Sequence, residues 1–198
     1  MRGARKAIAE AAMRIFAGKG FAGTSIREIC EAAGVTKPVL YYHFHDKAQL
    51  YHELMIDSFG ASLKLHLEAS RTRGTIRQRL VRIVSRDFKS VREAPERIQF
   101  LLRMIFAPED QRPYFNYVHE MERQRQVIEG VLQEGIDAGI ARGDARQLAT
   151  ALMGMNLMAI LEHVITGRPT VTRRSAERQV DTLLKGCQPA DAPIPGGK

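Results

Sequence analysis

The stretch from residue 36 to residue 47 is rich in side chains that donate hydrogen bonds to anions. Thr36 and Lys37 stand at its leading end and can donate to base edges or to phosphates. Pro38 and Val39 offer apolar contact with a thymine methyl group. The donors that follow are suited to phosphate oxygens, which position a protein on DNA without reading sequence: Tyr41, Tyr42, His43 and Lys47.

These side chains can contact DNA only if they lie on the exposed face of a helix. The sequence predicts a helix-turn-helix here. Ser25 and Glu28 have the spacing of a capping box, which opens a helix over 25–33. Gly34 ends that helix, because glycine adopts the left-handed conformation without strain. A second short helix is predicted over 36–44. In a helix-turn-helix this second helix lies in the major groove and contacts base edges with its N-terminal residues.

The rest of the chain also predicts helices, since no stretch alternates apolar and polar residues as a strand would. Thr36 is a predicted N-cap, and Asp46 with Gln49 offers a second capping box. The fold class is therefore all-α. About nine helices are expected, over 4–19, 25–33, 36–44, 47–71, 75–93, 95–106, 112–140, 144–166 and 173–187.

The charge distribution favours a nucleic-acid partner at the N-terminal end. The chain of 198 residues has a net charge of +8. Residues 1–47 hold eight Lys and Arg against four Asp and Glu, whereas residues 48–198 hold twenty-two against eighteen. The surplus of four is the same in both parts, so the shorter part is much more basic per residue. A basic end on a nearly balanced body predicts a localised DNA surface.

A dense series of signals runs from Ile8 to Leu50: Gly20-Phe21, Thr24-Ser25-Ile26-Arg27-Glu28-Ile29, Ala33-Gly34-Val35, Leu40-Tyr41-Tyr42-His43-Phe44 and Asp46-Lys47. Together they resemble the DNA-binding domain of the TetR family of bacterial regulators. The resemblance implies that Arg27 and residues 36–39 read bases, and that the donors from Tyr41 to Lys47 hold phosphates. Thr24 and Ser25, at the start of the second helix, are further candidates for DNA contact. Pro38 departs from the small residue that many members carry. Three positions have a structural alternative: Tyr41 also fits a core position, His43 also fits a plain surface position, and Arg27 also fits a solvated helix face.

The resemblance also implies a larger helical domain for ligand binding and dimerisation. We expect a DNA-binding domain at 1–46, a regulatory domain at 47–188 and a disordered tail at 189–198. Family members typically dimerise through their last two large helices. Residues 148–165 are too apolar for a freely exposed helix, so a homodimer through about 144–187 is predicted.

Family members bind a small effector among their middle helices, and the apolar and aromatic content there suits a small, largely apolar molecule. Each of these residues also fits an ordinary core position. The candidate pocket residues are Phe100, Arg103, Met104, Tyr114, Tyr117, His119 and Met121.

Other classes of protein are disfavoured by the sequence. Cys30 and Cys187 have no second Cys or His at metal-ligand spacing, so no metal site, cofactor or disulfide is expected. No catalytic motif is present, and adjacent His-Glu pairs do not share a helix face, so we do not expect an enzyme. No apolar run suggests a membrane span or a signal peptide, so a cytoplasmic protein is expected. A sequence-indifferent architectural DNA binder is the remaining alternative, but it should be basic throughout.

Overall fold

The computed structural model describes residues 2–186, with the backbone alone described at Arg2. Within this range every regular element is helical, which confirms the all-α prediction. Cys187 and the predicted tail lie outside the described residues. Residues 2–186 form nine α-helices: α1 (Arg2–Lys19), α2 (Ile26–Ala33), α3 (Lys37–His43), α4 (Lys47–Ser70), α5 (Ile76–Glu93), α6 (Pro95–Ile105), α7 (Tyr117–Asp137), α8 (Ala145–Thr166) and α9 (Arg173–Gly186).

The chain folds into two compact units. Among the described residues, the first unit contains 2–61 together with Glu93–Val118, and the second contains Ser62–Arg92 together with 119–186. By packing, α6 and the first part of α4 therefore join the three N-terminal helices. The predicted division between residues 46 and 47 is a division of function, and it stays a prediction.

The core of the first unit is built from the apolar face of α1. Ile8, Ala12 and Phe16 are fully buried, as their helical spacing predicts. Phe16 lies 6.1 Å, ring centre to ring centre, from Phe100 of α6. Cys30 is buried among these apolar groups, and this burial raises the pKa of its thiol. The core thus ties α6 to the helix-turn-helix.

The predicted capping box at the start of α2 is confirmed. The Ser25 hydroxyl accepts a hydrogen bond from the Glu28 backbone N–H at 3.2 Å, and the Glu28 carboxylate accepts from the Ser25 backbone N–H at 2.8 Å. Gly34 ends the helix with φ 65°, in the left-handed region that favours glycine. These two signals fix both ends of the first helix of the motif.

The caps of the next two helices differ in part from the prediction. Thr36 occupies the N-cap of α3, but its side chain makes no capping bond. Asp46 accepts from the Gln49 backbone N–H at 2.7 Å, which is one half of the predicted box. The Gln49 side chain accepts instead from the His45 backbone N–H at 2.7 Å.

Helix α7 begins at Tyr117, five residues later than the 112–140 prediction. Arg112 is extended, with φ −150° and ψ 155°. It precedes Pro113, and the proline ring disfavours the helical conformation of the residue before it. The proline therefore marks a break in the chain and not the first turn of a helix.

Helix α8 is largely apolar but mostly uncovered. By length and composition alone it is the one helix among residues 2–186 that could cross a membrane, so the expectation that no apolar run approaches that length is corrected. Only 11% of its most apolar window is buried. Its inner side packs through Ala145, Ala149 and Leu152, whereas Met158 and Ile165 are 64% and 78% exposed.

Candidate nucleic-acid interface

Helix α3 is held by two side chains and presents the others to solvent. Leu40 is fully buried and Phe44, directly after the helix, is 1% exposed. These two anchors face the core formed with α1 and α4. A helix of seven residues fixed from one side only has the geometry that a recognition helix needs, because its outer face stays free for the groove.

Seven of the eleven predicted DNA-contacting residues lie on α3 or at its N-cap, and six of these seven are exposed. Val39 is 37% exposed, Tyr41 50% and Tyr42 74%. The exposure of Tyr41 argues against a core position for its side chain. His43 is half-buried, and its ring lies edge-on to that of Tyr42 at 5.1 Å. The exposed residues brought together on this surface are Thr36, Lys37, Pro38, Val39, Tyr41 and Tyr42.

Lys47 has a structural role that the sequence did not indicate. Its ammonium donates to the backbone carbonyl of Phe21 at 2.9 Å and to that of Thr24 at 2.7 Å. It also lies 4.2 Å from the centre of the Phe21 ring, a cation–π distance. Burial lowers the pKa of this ammonium. Two of its three N–H donors are therefore engaged inside the protein, and its contact with phosphate stays a prediction.

The residues at the start of α2 are not equally accessible. Thr24 is 2% exposed and its hydroxyl donates to the Gly20 carbonyl at 2.6 Å, so its side chain is removed from the candidate DNA surface. A small hydroxyl side chain gave no sequence signal that separates this buried role from a surface role. Ser25 is exposed but serves the capping box. Arg27 is exposed and meets Glu31 of the same helix at 3.6 Å.

Electrostatic contacts within the first unit stabilise the base of this surface. Glu28 pairs with Lys19 of α1 in addition to capping α2. The Lys19 ammonium, followed by the hydrogen bonds from Ser25, lowers the pKa of Glu28 to about 2. Arg5 pairs with Glu53, and its guanidinium lies 5.1 Å from the centre of the Phe44 ring. No motif in the sequence indicated this role for Arg5.

The seven predicted effector residues are divided between the two compact units, with five in the first and two in the second. Phe100 and Met104 are fully buried in the core of the first unit. The Tyr117 hydroxyl lies 2.7 Å from that of Tyr51, and burial raises the pKa of Tyr51. The remaining residues are exposed, with Arg103 and Tyr114 in the first unit and His119 and Met121 in the second. Their role in ligand binding stays a prediction.

A helix-turn-helix with an open recognition helix, joined in one chain to a helical body, defines a DNA-binding regulator of transcription. Residues 8–54 match the family model of bacterial regulatory proteins of the tetR family. The N-terminal quarter of the chain, from α1 to the first turns of α4, is therefore a DNA-binding domain of the tetR type.

Sequence relatives of known function agree with this class. The regulator AcrR of Shigella flexneri is 39% identical over 67 residues, which are 33% of this chain and 31% of that protein. The repressor KstR2 of Mycolicibacterium smegmatis is 25% identical over 145 residues, which are 71% of this chain and 68% of that protein. These relatives are regulators of transcription, which confirms the prediction that the chain is not an enzyme.

Solved structures share the whole fold. SmeT, the repressor of a multidrug efflux pump of Stenotrophomonas maltophilia, matches with a TM-score of 0.75 at 20% identity, over 98% of this chain and 94% of SmeT. KstR2 of Mycobacterium tuberculosis matches with a TM-score of 0.71 at 21% identity, over 93% of this chain and 95% of KstR2. At this identity the likeness establishes the helical fold of both parts of the chain.

Proposed function

We propose that this regulator is a cytoplasmic repressor that binds a palindromic operator as a homodimer and leaves it when a small effector binds. The observation that carries the proposal is the outer face of α3. Six of the eight candidate residues on and beside this helix are exposed, while Leu40 and Phe44 are buried. Exposed donors fixed on a well-anchored helix are what base reading requires.

The residues of this face have different roles in the proposal. Lys37 and Thr36, at the N-terminal end of α3, read base edges, and Val39 with the Pro38 ring contacts a thymine methyl group. Tyr41 and Tyr42 donate to phosphate oxygens and fix the register of the helix in the groove. His43, which is half-buried, contributes at the margin of this surface.

The homodimer is proposed to form through α8 and α9. Helix α8 exposes Leu157, Met158, Val164 and Ile165. Water in contact with this much apolar surface is unfavourable, so a second copy of the same face is the natural cover. Gly154 lies exposed on the same helix with no other group within 4 Å of a built Cβ, which leaves room for close helix approach.

Two-fold symmetry in the protein implies two-fold symmetry in the DNA. The two recognition helices would enter successive major grooves, about 34–36 Å apart. The effector then acts by favouring a conformation in which the two helices no longer fit both half-sites. It can shift that equilibrium only by its difference in affinity for the two states, for which about 1–3 kcal/mol is typical.

Selection of bound sequences from random duplex DNA, together with sedimentation of the free protein, tests this function. We expect a dimer at micromolar concentration and a selected site with dyad symmetry. A monomer, or a selected site without dyad symmetry, would contradict the homodimeric repressor. Equal recovery of all duplexes would favour the architectural DNA binder instead.

A further inference from the structure

The second unit contains an open groove of about 490 Å³ that the predicted pocket residues do not line. Its walls come from the C-terminal part of α4, from α5 and from the middle of α7. This volume lies within the range of roughly 300–1,000 Å³ that small-molecule sites have. The groove therefore has the size of a small-molecule site.

One part of the groove wall is apolar. Leu63 and Leu67 of α4 face it, as do Val127 and Val131 of α7. Gly130 lies between these two valines, and a Cβ built on it meets no group within 4 Å. The absence of a side chain at this position keeps the groove open beside the valines. This part of the wall suits a hydrocarbon body.

The rest of the groove is rich in arginine, but two of its three guanidinium groups are already paired. Arg79 donates to both carboxylate oxygens of Glu134 and to the Ser70 carbonyl. Arg123 pairs with Glu120 at 3.1 Å. These two arginines are therefore neutralised by neighbouring carboxylates, and they serve mainly to build the wall.

Arg71, the third arginine of the groove, differs from Arg79 and Arg123 in its pairing. It is exposed at the groove, directly after the last residue of α4, and its guanidinium makes no hydrogen bond or ion pair with any residue in the range 2–186. An unpaired guanidinium beside an apolar wall has complementary partners in an anionic head and an apolar body. A guanidinium binds a carboxylate or a phosphate with two parallel hydrogen bonds, which neutral polar groups cannot match.

We propose that this groove binds an amphipathic anion, a carboxylate or phosphate group attached to a hydrocarbon body, and that this molecule is the effector. The head group binds Arg71, and the body packs on Leu63, Leu67 and the α7 valines. The inference rests on the proposed function, and it refines a largely apolar effector to an anionic one. Leu63 and Leu67 belong to α4, the helix that begins at Lys47, close after the recognition helix.

Calorimetric titration of the full chain without DNA tests the ligand class. Decanoate and decyl phosphate, below their micellar concentrations, separate the two head groups. Decan-1-ol lacks the charge, and inorganic phosphate lacks the body. We expect at least one of the two anions to bind about tenfold or more tightly than the alcohol, because a charged hydrogen-bonding pair is lost with the alcohol. Inorganic phosphate alone should show no measurable binding.

Variants of the head-group site have a matched control. Arg71→Gln should weaken binding of the preferred anion about tenfold and leave binding of decan-1-ol unchanged. Arg73→Gln removes an exposed arginine two residues away that does not line the groove, and it should leave both affinities unchanged. Equal losses in the two variants would mean a general charge effect and would overturn the assignment of Arg71.

Variants of the body site keep the fold intact. Gly130→Leu should fill the groove and abolish binding, whereas Gly130→Ala should leave most of it. Both replace a mid-helix glycine with a better helix former, so both should raise the unfolding temperature and exclude unfolding as the cause of a loss. Full binding to a stable Gly130→Leu variant would place the ligand elsewhere and overturn the proposal.

The failure of this inference is distinguishable from the failure of the proposed function. Operator binding without ligand tests the function alone, and it should be unchanged in Arg71→Gln and in Gly130→Leu. If the operator binds but neither anion does, the inference is wrong and the repressor stands. If an anion binds equally well with and without operator, it is not an effector, because coupling must be reciprocal.

Discussion

Two exposed helical surfaces of this protein differ in the chemistry of their side chains. Helix α3 exposes Tyr42 at 74% and α8 exposes Ile165 at 78%. The tyrosine ends in a hydroxyl that water can solvate. Most of the other exposed side chains on the outer face of α3 also end in polar groups. The isoleucine has no polar atom in its side chain, and it has Met158 and Val164 as exposed companions.

The similar exposure therefore has different consequences. The outer face of α3 is well solvated when no partner is bound, and it binds a polyanionic partner through charge and hydrogen bonds. Covering the exposed face of α8 lowers the free energy by about 25 cal/mol for each Å² of apolar surface that a partner removes from water. Salt should therefore weaken the partner binding of α3, whereas association through α8 should be nearly insensitive to it.

The strongest test of this comparison places a charge on the exposed face of α8. If this face is the dimer interface, Met158→Glu introduces an unpaired carboxylate from each subunit into a desolvated surface. Leaving a buried charge without a partner costs about 3–5 kcal/mol, so the dimer should dissociate at least about a hundredfold more readily. Sedimentation over a concentration series measures the change.

The matched control for that variant is Ile56→Glu. Ile56 of α4 is 58% exposed, close to the 64% of Met158, but lies outside the proposed interface. Its substitution should leave the dimer intact. Equal dissociation of both variants would show that the charge destabilises the subunit and would remove the support for α8 as the interface.

Lys37→Ala tests the sequence-reading role of α3. We expect binding of the selected operator to weaken by about 1–3 kcal/mol if the ammonium contacts a guanine edge, with relaxed preference at one or two positions of each half-site. Competition between operator and random duplex DNA measures the loss of specificity. Tyr42→Phe, which removes only a hydroxyl, should instead weaken binding to every sequence alike. Equal losses on operator and random DNA in the Lys37 variant would contradict base reading.

Lys47→Met separates a structural role from a phosphate contact. The substitution keeps an apolar stem but removes the hydrogen bonds to the Phe21 and Thr24 carbonyls. Bonds to a charged donor are strong, so we expect the free energy of unfolding to fall by about 1.5 kcal/mol. Urea unfolding measures this change, with Lys6→Met as the control at an exposed lysine of α1.

The same variant also tests the predicted phosphate contact. If Lys47 holds a phosphate with its third donor, the slope of binding against salt concentration should fall by about one. An unchanged slope in a destabilised variant would make the residue structural only. A variant of unchanged stability would contradict the internal role that the two carbonyl contacts indicate.

Sequence reasoning predicted the helices well because most of their ends are marked by local chemistry. The Ser25–Glu28 box and Gly34 fix α2 through bonds between near neighbours in the chain. The start of α7 was placed wrongly because Pro113 follows an extended residue here, whereas proline is equally at home in the first turn of a helix. Local signals of this kind leave two options, and only packing decides between them.

The candidate site was predictable where exposure follows from helical spacing. Leu40 and Phe44 lie four residues apart and mark the inner side of α3, so the outer side could be assigned. Thr24 and Lys47 could not be assigned, because their partners are backbone carbonyls that no side-chain pattern indicates. The groove at Arg71 was not predicted either, because it depends on which arginines find a carboxylate, and Arg79 finds Glu134 on another helix.

The smallest expected effect concerns the stability of the protein in acid, through the Glu28 carboxylate that caps α2 and pairs with Lys19. The pKa of Glu28 is lowered to about 2 from an ordinary 4.5, because the carboxylate meets Lys19 and the Ser25 donors. A lowered pKa in the folded state means that the contribution to stability is complete above about pH 4.5 and is lost as the pH falls toward 2.

Glu28→Gln keeps an oxygen that can accept from the Ser25 backbone N–H but removes the charge. The wild type should therefore be more stable than this variant at about pH 6, and the difference should shrink steadily on acidification. Thermal unfolding of both proteins across this range measures the difference, with Glu31→Gln of the same helix as the control outside the capping box. A difference between wild type and Glu28→Gln that stays constant with pH would mean that the carboxylate gains nothing from Lys19, and that α2 is held by its neutral cap alone.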